Sequence, residues 1–127
     1  MAWRFKHHYT LDEARALLPR VRKWLAEATE LVRQLQKSDS VLEQLMAGGN
    51  DVGGPTVNRR VRAMLDFRAV LREFQQRDIQ VKDLDRGLID FPAIIGGREV
   101  FLCWESDEED IEFWHDLESG YAGREHL

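Results

Sequence analysis

Apolar residues recur at helical spacing through most of the first half of the chain. Placed at about 100° per residue, most fall within one arc of about 140°, which predicts a long helix with a single buried stripe. This stripe consists of Leu11, Ala14, Leu17, Leu18, Val21, Trp24, Leu25, Ala28, Leu31, Val32, Leu35, Leu42 and Met46. Thr10 and Glu13 match a capping box, and Tyr9 can contact the first turn, so the helix is predicted to begin at about Leu11.

Two features interrupt this first helical pattern. Pro19 lies on the polar side of the helix and removes one backbone hydrogen bond, which predicts a kink rather than an end. The polar run from Ser38 to Ser40 weakens the pattern, so the helix is expected to end or bend there. Residues 47–56 contain four glycines and a proline, which predicts the connecting loop of a helical hairpin.

The second helical pattern, from about Val57 to Arg77, has a much wider apolar arc. Its apolar residues spread over about 220°, so the helix is expected to contact two surfaces rather than one. Arg68 and Arg72 project inside this arc. Each arginine can reach water along its stem, pair across a subunit interface, or hold an anionic ligand.

The period changes after Gly87, where short runs rich in β-forming residues replace the helical pattern. Strands are predicted at Leu88–Pro92, at Val100–Trp104 and at Ile111–His115. Alternation places Val100, Leu102 and Trp104 on one face of the central strand, and Phe101 and Cys103 on the other. For residues 107–119 a helix is the alternative, because Asp107 can cap it and Gly120 can end it.

These elements predict a single α+β domain over residues 1–127. A long antiparallel helical hairpin, at about 11–78, is followed by a small antiparallel meander sheet and tail, at about 87–127, packed on one end of the hairpin. Such a hairpin leaves one flank of the second helix uncovered. A homodimer that pairs two hairpins into a four-helix arrangement would cover it, so self-association is predicted.

Charge is distributed unevenly along the chain. The net charge is −5, yet residues 1–86 hold 16 Lys and Arg against 12 Asp and Glu, whereas residues 87–127 hold 2 against 11. The acidic segment is therefore expected to fold onto the basic helices, in the same chain or in a partner subunit. The net negative charge of the full chain argues against nucleic-acid binding.

The sequence shows neither a signal peptide nor a long apolar segment, so a cytoplasmic protein without membrane contacts is expected. With a single cysteine, the chain cannot form an intramolecular disulfide.

Four residues of the last third are candidates for a shared site: Asp90, Cys103, Glu108 and His115. If the strands form a meander, side chains of adjacent strands lie about 5 Å apart and can share an ion or form an acid–base pair. Carboxylate, imidazole and thiolate ligands suit zinc or another divalent first-row metal. The structural alternative is that His115 bonds to Asp90 or to a backbone carbonyl and that Cys103 is a small core residue.

The last third also holds half of the aromatic residues of the chain. Either they pack on the wide face of the second helix or some are exposed at a contact site, for which Trp104, Trp114 and Tyr121 are the candidates.

Several motifs resemble a bacterial family catalogued as domain of unknown function 2203. They are the start at Tyr9–Arg15, the runs Gly87–Pro92 and Arg98–Trp104, the tripeptide Phe113–His115, and Gly120, Gly123 and Arg124. In that family the residues after the Cys-Trp pair usually read Arg, a hydrophobic residue, Gly and Glu. At the matching positions 105–108 only Glu108 keeps its type. The resemblance covers nearly the whole chain and implies a fold and a motif, but no activity.

Two classes of function follow from these observations. The first is a non-enzymatic oligomerising interaction or scaffold module, formed by the hairpin and the aromatic, acidic end. The alternative is a small metal-dependent or acid–base site at Asp90, Glu108 and His115, with Arg68 or Arg72 holding an anionic small ligand. A third hypothesis, RNA binding by the arginines of the second helix, has the least support.

Overall fold

The computed structural model describes residues 2–49 and 54–127. Two long helices, α1 (Leu11–Ala47) and α2 (Pro55–Gln75), pack as a hairpin. Five strands follow as β1 (Gln80–Asp83), β2 (Leu88–Ile95), β3 (Arg98–Glu105), β4 (Phe113–Asp116) and β5 (Glu125–His126), with a short 3₁₀ turn at Tyr121–Gly123. The strands form one antiparallel meander in the order β1-β2-β3-β4-β5. The α+β prediction is therefore confirmed.

Helix α1 begins with the capping box that the sequence predicts. The backbone N–H of Glu13 donates to Thr10 Oγ1 at 3.1 Å, and the N–H of Thr10 donates to Glu13 Oε1 at 3.0 Å. The helix continues past Pro19, which is exposed, and through Ser38–Ser40 to Ala47, so the end considered at Ser38–Ser40 does not occur. Local polar residues do not end a helix whose next turns still contact a neighbouring helix.

Helix α2 begins with Pro55 in its first turn, where the missing N–H of proline is not needed. Residues 50–53 of the predicted connection lie outside the described residues. One side of α2 packs through Ala63, Val70 and Phe74. A second stripe stays exposed at Val57, Val61, Met64 and Leu65, and no part of the described chain covers it. No described helix is both long and apolar enough to cross a membrane.

The sheet has five strands, where the sequence predicted three. Strands β1 and β5 were missed because β1 is short and polar and β5 has only two residues, so neither has a detectable period. Residues 113–116 form a strand, as predicted in preference to a helix, although it begins at Phe113 and not at Ile111. Ile111 is buried in the preceding segment.

The two faces of the sheet bury different kinds of side chain. One face packs on the helices and carries Ile89, Phe91, Val100, Leu102 and Trp104. Burial of a large aliphatic or aromatic side chain contributes roughly 1.5–3 kcal/mol, so this face accounts for much of the stability. The second face carries Asp90, Phe101, Cys103 and His115, and all four are buried as well.

Both ends of the chain cover this second face. The N–H groups of Arg4 and Phe5 donate to the Glu99 carboxylate at 2.8 and 3.0 Å, and the Phe5 ring lies 5.4 Å from that of Phe101. At the other end of the face, residues 117–121 of the C-terminal segment form a wall. A strand buried on both faces has few exposed positions, which explains the nearly continuous apolar run of β3.

The acidic segment contacts basic residues of the same chain, as its charge led us to expect. Arg15 Nε donates to Asp110 at 2.8 Å, and Arg22 donates to the carbonyls of Ser106 and Glu108 at 3.1 and 2.8 Å. These contacts connect the segment between β3 and β4 to the first half of α1.

Candidate functional site

Three of the four candidate ligands come together on the second face of the sheet. Asp90 of β2 is paired with Cys103 of β3, and His115 of β4 is paired with Phe101, one position along the same face. Their ligand atoms all lie within 4.8 Å of one another. Antiparallel pairing produces this cluster because residues of three adjacent strands that share a face must be neighbours.

The cluster forms the floor of a cleft of about 290 Å³. Lys82 and Leu88 lie on one side of the cleft, and Leu117, Glu118, Gly120 and Tyr121 lie on the other. The three floor residues are almost fully buried, with exposed fractions of 2% for Asp90, 0% for Cys103 and 2% for His115. Buried carboxylate and imidazole groups need a partner, and here they have each other.

The hydrogen bonds of His115 define its protonation. Nδ1 lies 2.7 Å from the carbonyl oxygen of Asp116, and because a carbonyl only accepts, Nδ1 carries a proton. Nε2 lies 3.0 Å from both carboxylate oxygens of Asp90. Burial by itself lowers the pKa of His115, but hydrogen bonds with Asp90, Cys103 and the Asp116 carbonyl, together with the charge of Asp90, raise it to about 10.

This arrangement meets the geometric condition of the acid–base hypothesis. Asp90 and His115 share a face, lie within hydrogen-bond distance and both line the cleft. However, both ring nitrogens already have hydrogen-bond partners, Nδ1 the Asp116 carbonyl and Nε2 the Asp90 carboxylate. The pair therefore lacks a free nitrogen that could accept a proton from a ligand.

The same three groups could also hold a metal ion, which would take the place of the Nε2 proton between His115 and Asp90. Zinc binds imidazole nitrogen and carboxylate oxygen at about 2.0–2.2 Å and thiolate sulfur at about 2.3 Å. A tetrahedral ion at these distances from Nε2 and one Asp90 oxygen would hold them roughly 3.3–3.6 Å apart, so the pair, now 3.0 Å apart, would have to open by a few tenths of an ångström. Nδ1 is bonded to a backbone carbonyl, an arrangement that typically orients a histidine ligand.

Glu108, the fourth candidate, lies outside the cluster and contacts it through Arg124. Arg124 donates to both carboxylate oxygens of Glu108, at 3.1 and 2.9 Å, and its Nη1 lies 3.9 Å from Cys103 Sγ. The backbone N–H of Glu105 also donates to Glu108, at 2.8 Å. Glu108 therefore orients the arginine that borders the thiol. Arg124 was noted in the sequence only as part of a family motif.

Neither Arg68 nor Arg72 lines the cleft. Both are exposed on α2, which packs on the opposite face of the sheet from the cluster. The cation in the cleft is Lys82 of β1, whose Nζ lies 4.8 Å from the centre of the Phe101 ring. Sequence reasoning missed Lys82 because its strand was not predicted.

The three candidate contact aromatics have different environments. Trp104 is fully buried against the helices, with the Arg22 guanidinium 4.8 Å above its ring. Trp114 is half-buried against the same core. Tyr121 lies at the rim of the cleft, where the guanidinium groups of Arg86 and Arg124 stack on it at 4.4 and 4.3 Å. Of the three, Tyr121 alone borders the candidate site.

These features define a small α+β protein in which a helical hairpin supports a five-stranded meander with a buried Asp–Cys–His cluster. The chain belongs to the family described as Uncharacterized conserved protein (DUF2203), and the family model matches residues 7–127. This match confirms the resemblance that the sequence motifs indicated. Comparison with curated proteins and with solved structures found no match for the chain.

Proposed function

We propose that the protein binds one divalent first-row metal ion, zinc in the first instance, through Asp90, Cys103 and His115. The observation that carries this proposal is the convergence of three different ligand types, each from its own strand, within 4.8 Å at the floor of a cleft. A mixed nitrogen, oxygen and sulfur set favours zinc and its neighbours over magnesium or calcium.

Three protein ligands leave one position of a tetrahedral ion free. In zinc proteins a free position facing solvent holds water or a ligand, whereas structural sites are closed by a fourth side chain. Here the cluster faces the cleft, and no fourth His, Cys, Asp or Glu joins the group among the described residues. We therefore infer a site that binds an exogenous group rather than one that only stabilises the fold.

Metal analysis tests the proposal directly. Protein purified without a histidine tag is loaded with Zn²⁺, passed through a desalting column and measured for zinc per chain. One zinc per chain is expected for the natural protein. Cys103→Ser and His115→Gln are expected to lose it, because removal of one of three ligands weakens binding by orders of magnitude.

Matched variants separate ligand loss from general damage. His7→Gln removes an exposed histidine and Asp85→Asn an exposed carboxylate, and both are expected to keep the zinc. Circular dichroism checks that each variant is folded. Natural protein that leaves the column without zinc, or Cys103→Ser protein that retains it fully, contradicts the proposed site.

The second function that we propose is self-association through the exposed stripe of α2. Val57, Val61, Met64 and Leu65 lie on one side of the helix and are 36%, 48%, 39% and 56% exposed. Large apolar side chains that cluster on one surface are typical of interfaces. A second copy is the partner that such a face fits, because a twofold axis brings the same stripe of two hairpins together.

Sedimentation velocity at micromolar concentration tests self-association. The natural protein is expected to sediment at twice the chain mass of 14.9 kDa. Val61→Lys is expected to shift the protein to the monomer, because a lysine would be buried at the centre of the stripe. Asp66→Lys places the same residue on a different side of α2 and is expected to remain a dimer. A natural protein at the monomer mass refutes the interface.

A further inference from the structure

The cleft above the three candidate ligands has a cation on its wall. Lys82 lines the cleft, and its side chain extends across the Phe101 ring with Nζ 4.8 Å from the ring centre. Within the described residues, Lys82 forms no ion pair. The acid on the opposite side, Glu118, is largely exposed and pairs with Arg4, and the hydrogen bond from Arg4, together with the charges of Arg4 and of Lys82, lowers its pKa.

Other cations near the cluster already have acidic partners. Arg86 pairs with Glu105 at 2.9 Å, and Arg124 pairs with Glu108 at 2.9 Å. Both guanidinium groups also stack on Tyr121. Lys82 is therefore the cation of the cleft wall whose charge remains available to a ligand.

The charge of an occupied site points to the class of ligand. A divalent ion bound by one carboxylate, one thiolate and one neutral imidazole forms a centre of zero net charge, and Lys82 adds one positive charge beside it. A lysine beside an open metal position favours an anionic ligand, since Glu118, the acid of the same cleft, already has Arg4 as its partner. The volume of about 290 Å³ restricts the occupant to a small molecule.

We propose that the cleft binds a small oxyanion, a carboxylate or a phosphate, with one oxygen on the free position of the metal and another on Lys82 Nζ. This inference rests on the proposed metal site. It assigns to Lys82 the role that the sequence suggested for Arg68 or Arg72, because those two side chains lie on the other side of the sheet.

Cobalt-substituted protein provides the test, because Co²⁺ adopts zinc-like sites and its visible absorption reports on the ligands of the ion. The Co²⁺ protein is titrated separately with sodium acetate and with inorganic phosphate at constant ionic strength. At least one of the two is expected to change the visible bands saturably. The two titrations distinguish a carboxylate from a phosphate ligand.

The variant Lys82→Met tests the position of the anion. It removes the charge but keeps an apolar side chain over Phe101, so it is expected to bind Co²⁺ as the natural protein does. Its affinity for the anion is expected to fall about tenfold or more, as for the loss of one hydrogen bond between charged groups. Lys23→Met, an exposed lysine of α1, serves as the matched control and is expected to leave anion binding unchanged.

The outcomes separate this inference from the function on which it rests. Failure to bind Co²⁺ with the absorption of a thiolate ligand overturns the metal site and with it the anion site. Bound Co²⁺ whose spectrum neither acetate nor phosphate changes overturns the anion site alone. Equal anion affinity in Lys82→Met and natural protein overturns the role of Lys82.

Discussion

At the scale of single residues, the type of a residue can make it a candidate, but the tertiary structure decides which other residues it contacts. Asp90, Cys103 and His115 could be selected as candidates by residue type alone. Their convergence depends on the register of β2, β3 and β4, which no short stretch of sequence specifies. Lys82 and Arg124 were not selected as site residues, because an isolated lysine or arginine gives no chemical signal until its neighbours are known.

Gly87 is constrained both by its backbone conformation and by a close neighbouring side chain. Its φ of +64° favours glycine, and an added Cβ would lie 2.6 Å from Cβ and Oγ of Ser106. Gly87→Ala is expected to lower the free energy of unfolding by about 1–3 kcal/mol or more, through backbone strain and overlap. Gly96→Ala has a similar φ of +59° with open space around it, so it isolates the strain. If urea unfolding shows equal losses of unfolding free energy for Gly87→Ala and Gly96→Ala, the overlap with Ser106 has no cost of its own.

The carboxylates of Asp78 and Glu99 bind the N-terminal segment, and their lowered pKa values predict a loss of stability in acid. Burial alone raises the pKa of Asp78, but N–H groups of His7 and Lys6 lower it overall. Burial alone likewise raises the pKa of Glu99, but hydrogen bonds from His8 and from the N–H groups of Arg4 and Phe5 lower it overall.

A carboxyl whose folded pKa is lowered stabilises the fold above its unfolded pKa of about 4, and the contribution disappears as pH falls through the folded value. Urea unfolding between pH 7 and about 3 is therefore expected to show a smaller acid loss in Glu99→Gln than in natural protein. Glu27→Gln removes an exposed carboxylate of α1 as the control. An unchanged acid loss in Glu99→Gln would contradict the assignment to Glu99.

At the scale of elements, the helices and the central strands were predictable and the edge strands were not. The capping box of α1 and the β-rich run of β3 carry strong local signals, and both elements form where expected. Strand β5 has two residues, and it forms only because the C-terminal segment returns to pair with β4. Such a contact between distant residues has no local period to detect.

Arg124 connects the C-terminal segment to the rest of the sheet. It forms two hydrogen bonds with Glu108 and stacks on the rings of Phe113 and Tyr121 at 3.9 and 4.3 Å. Arg124→Met is expected to increase amide hydrogen exchange over residues 117–127, because the segment loses its ion pair with Glu108. Arg98→Met, which removes an exposed partner of Asp116, is the control. Unchanged exchange in Arg124→Met would show that β5 pairing alone holds the segment.

At the scale of the whole molecule, the two ends of the hairpin differ in how they are covered. All buried residues of α1 lie between Ala14 and Ala28, where the sheet packs against the helix. Beyond this region, the far end of the hairpin has two helices and exposed apolar residues, including Val41 and Met46. The sheet end carries the candidate site, and the far end offers the surface proposed for self-association.

This difference predicts a gradient of stability along α1. In a monomer, amides of residues 31–47 are expected to exchange faster than those of residues 14–28, because fewer buried contacts oppose their opening. Hydrogen exchange measured by mass spectrometry at two protein concentrations tests this gradient. In a dimer the far end gains protection as concentration rises. Equal protection of both segments in a verified monomer would contradict the gradient.

The sequence by itself determined the hairpin, the position of the central strands and the family, because these follow from local periodicity, capping residues and motifs. It also supplied the candidate residues Asp90, Cys103 and His115. Only the tertiary structure decided that these three meet on one face, that Glu108 pairs with Arg124 instead, and that Lys82 borders the cleft. Local patterns depend on neighbours along the chain, whereas a site depends on strand register and on which segment covers each face of the sheet.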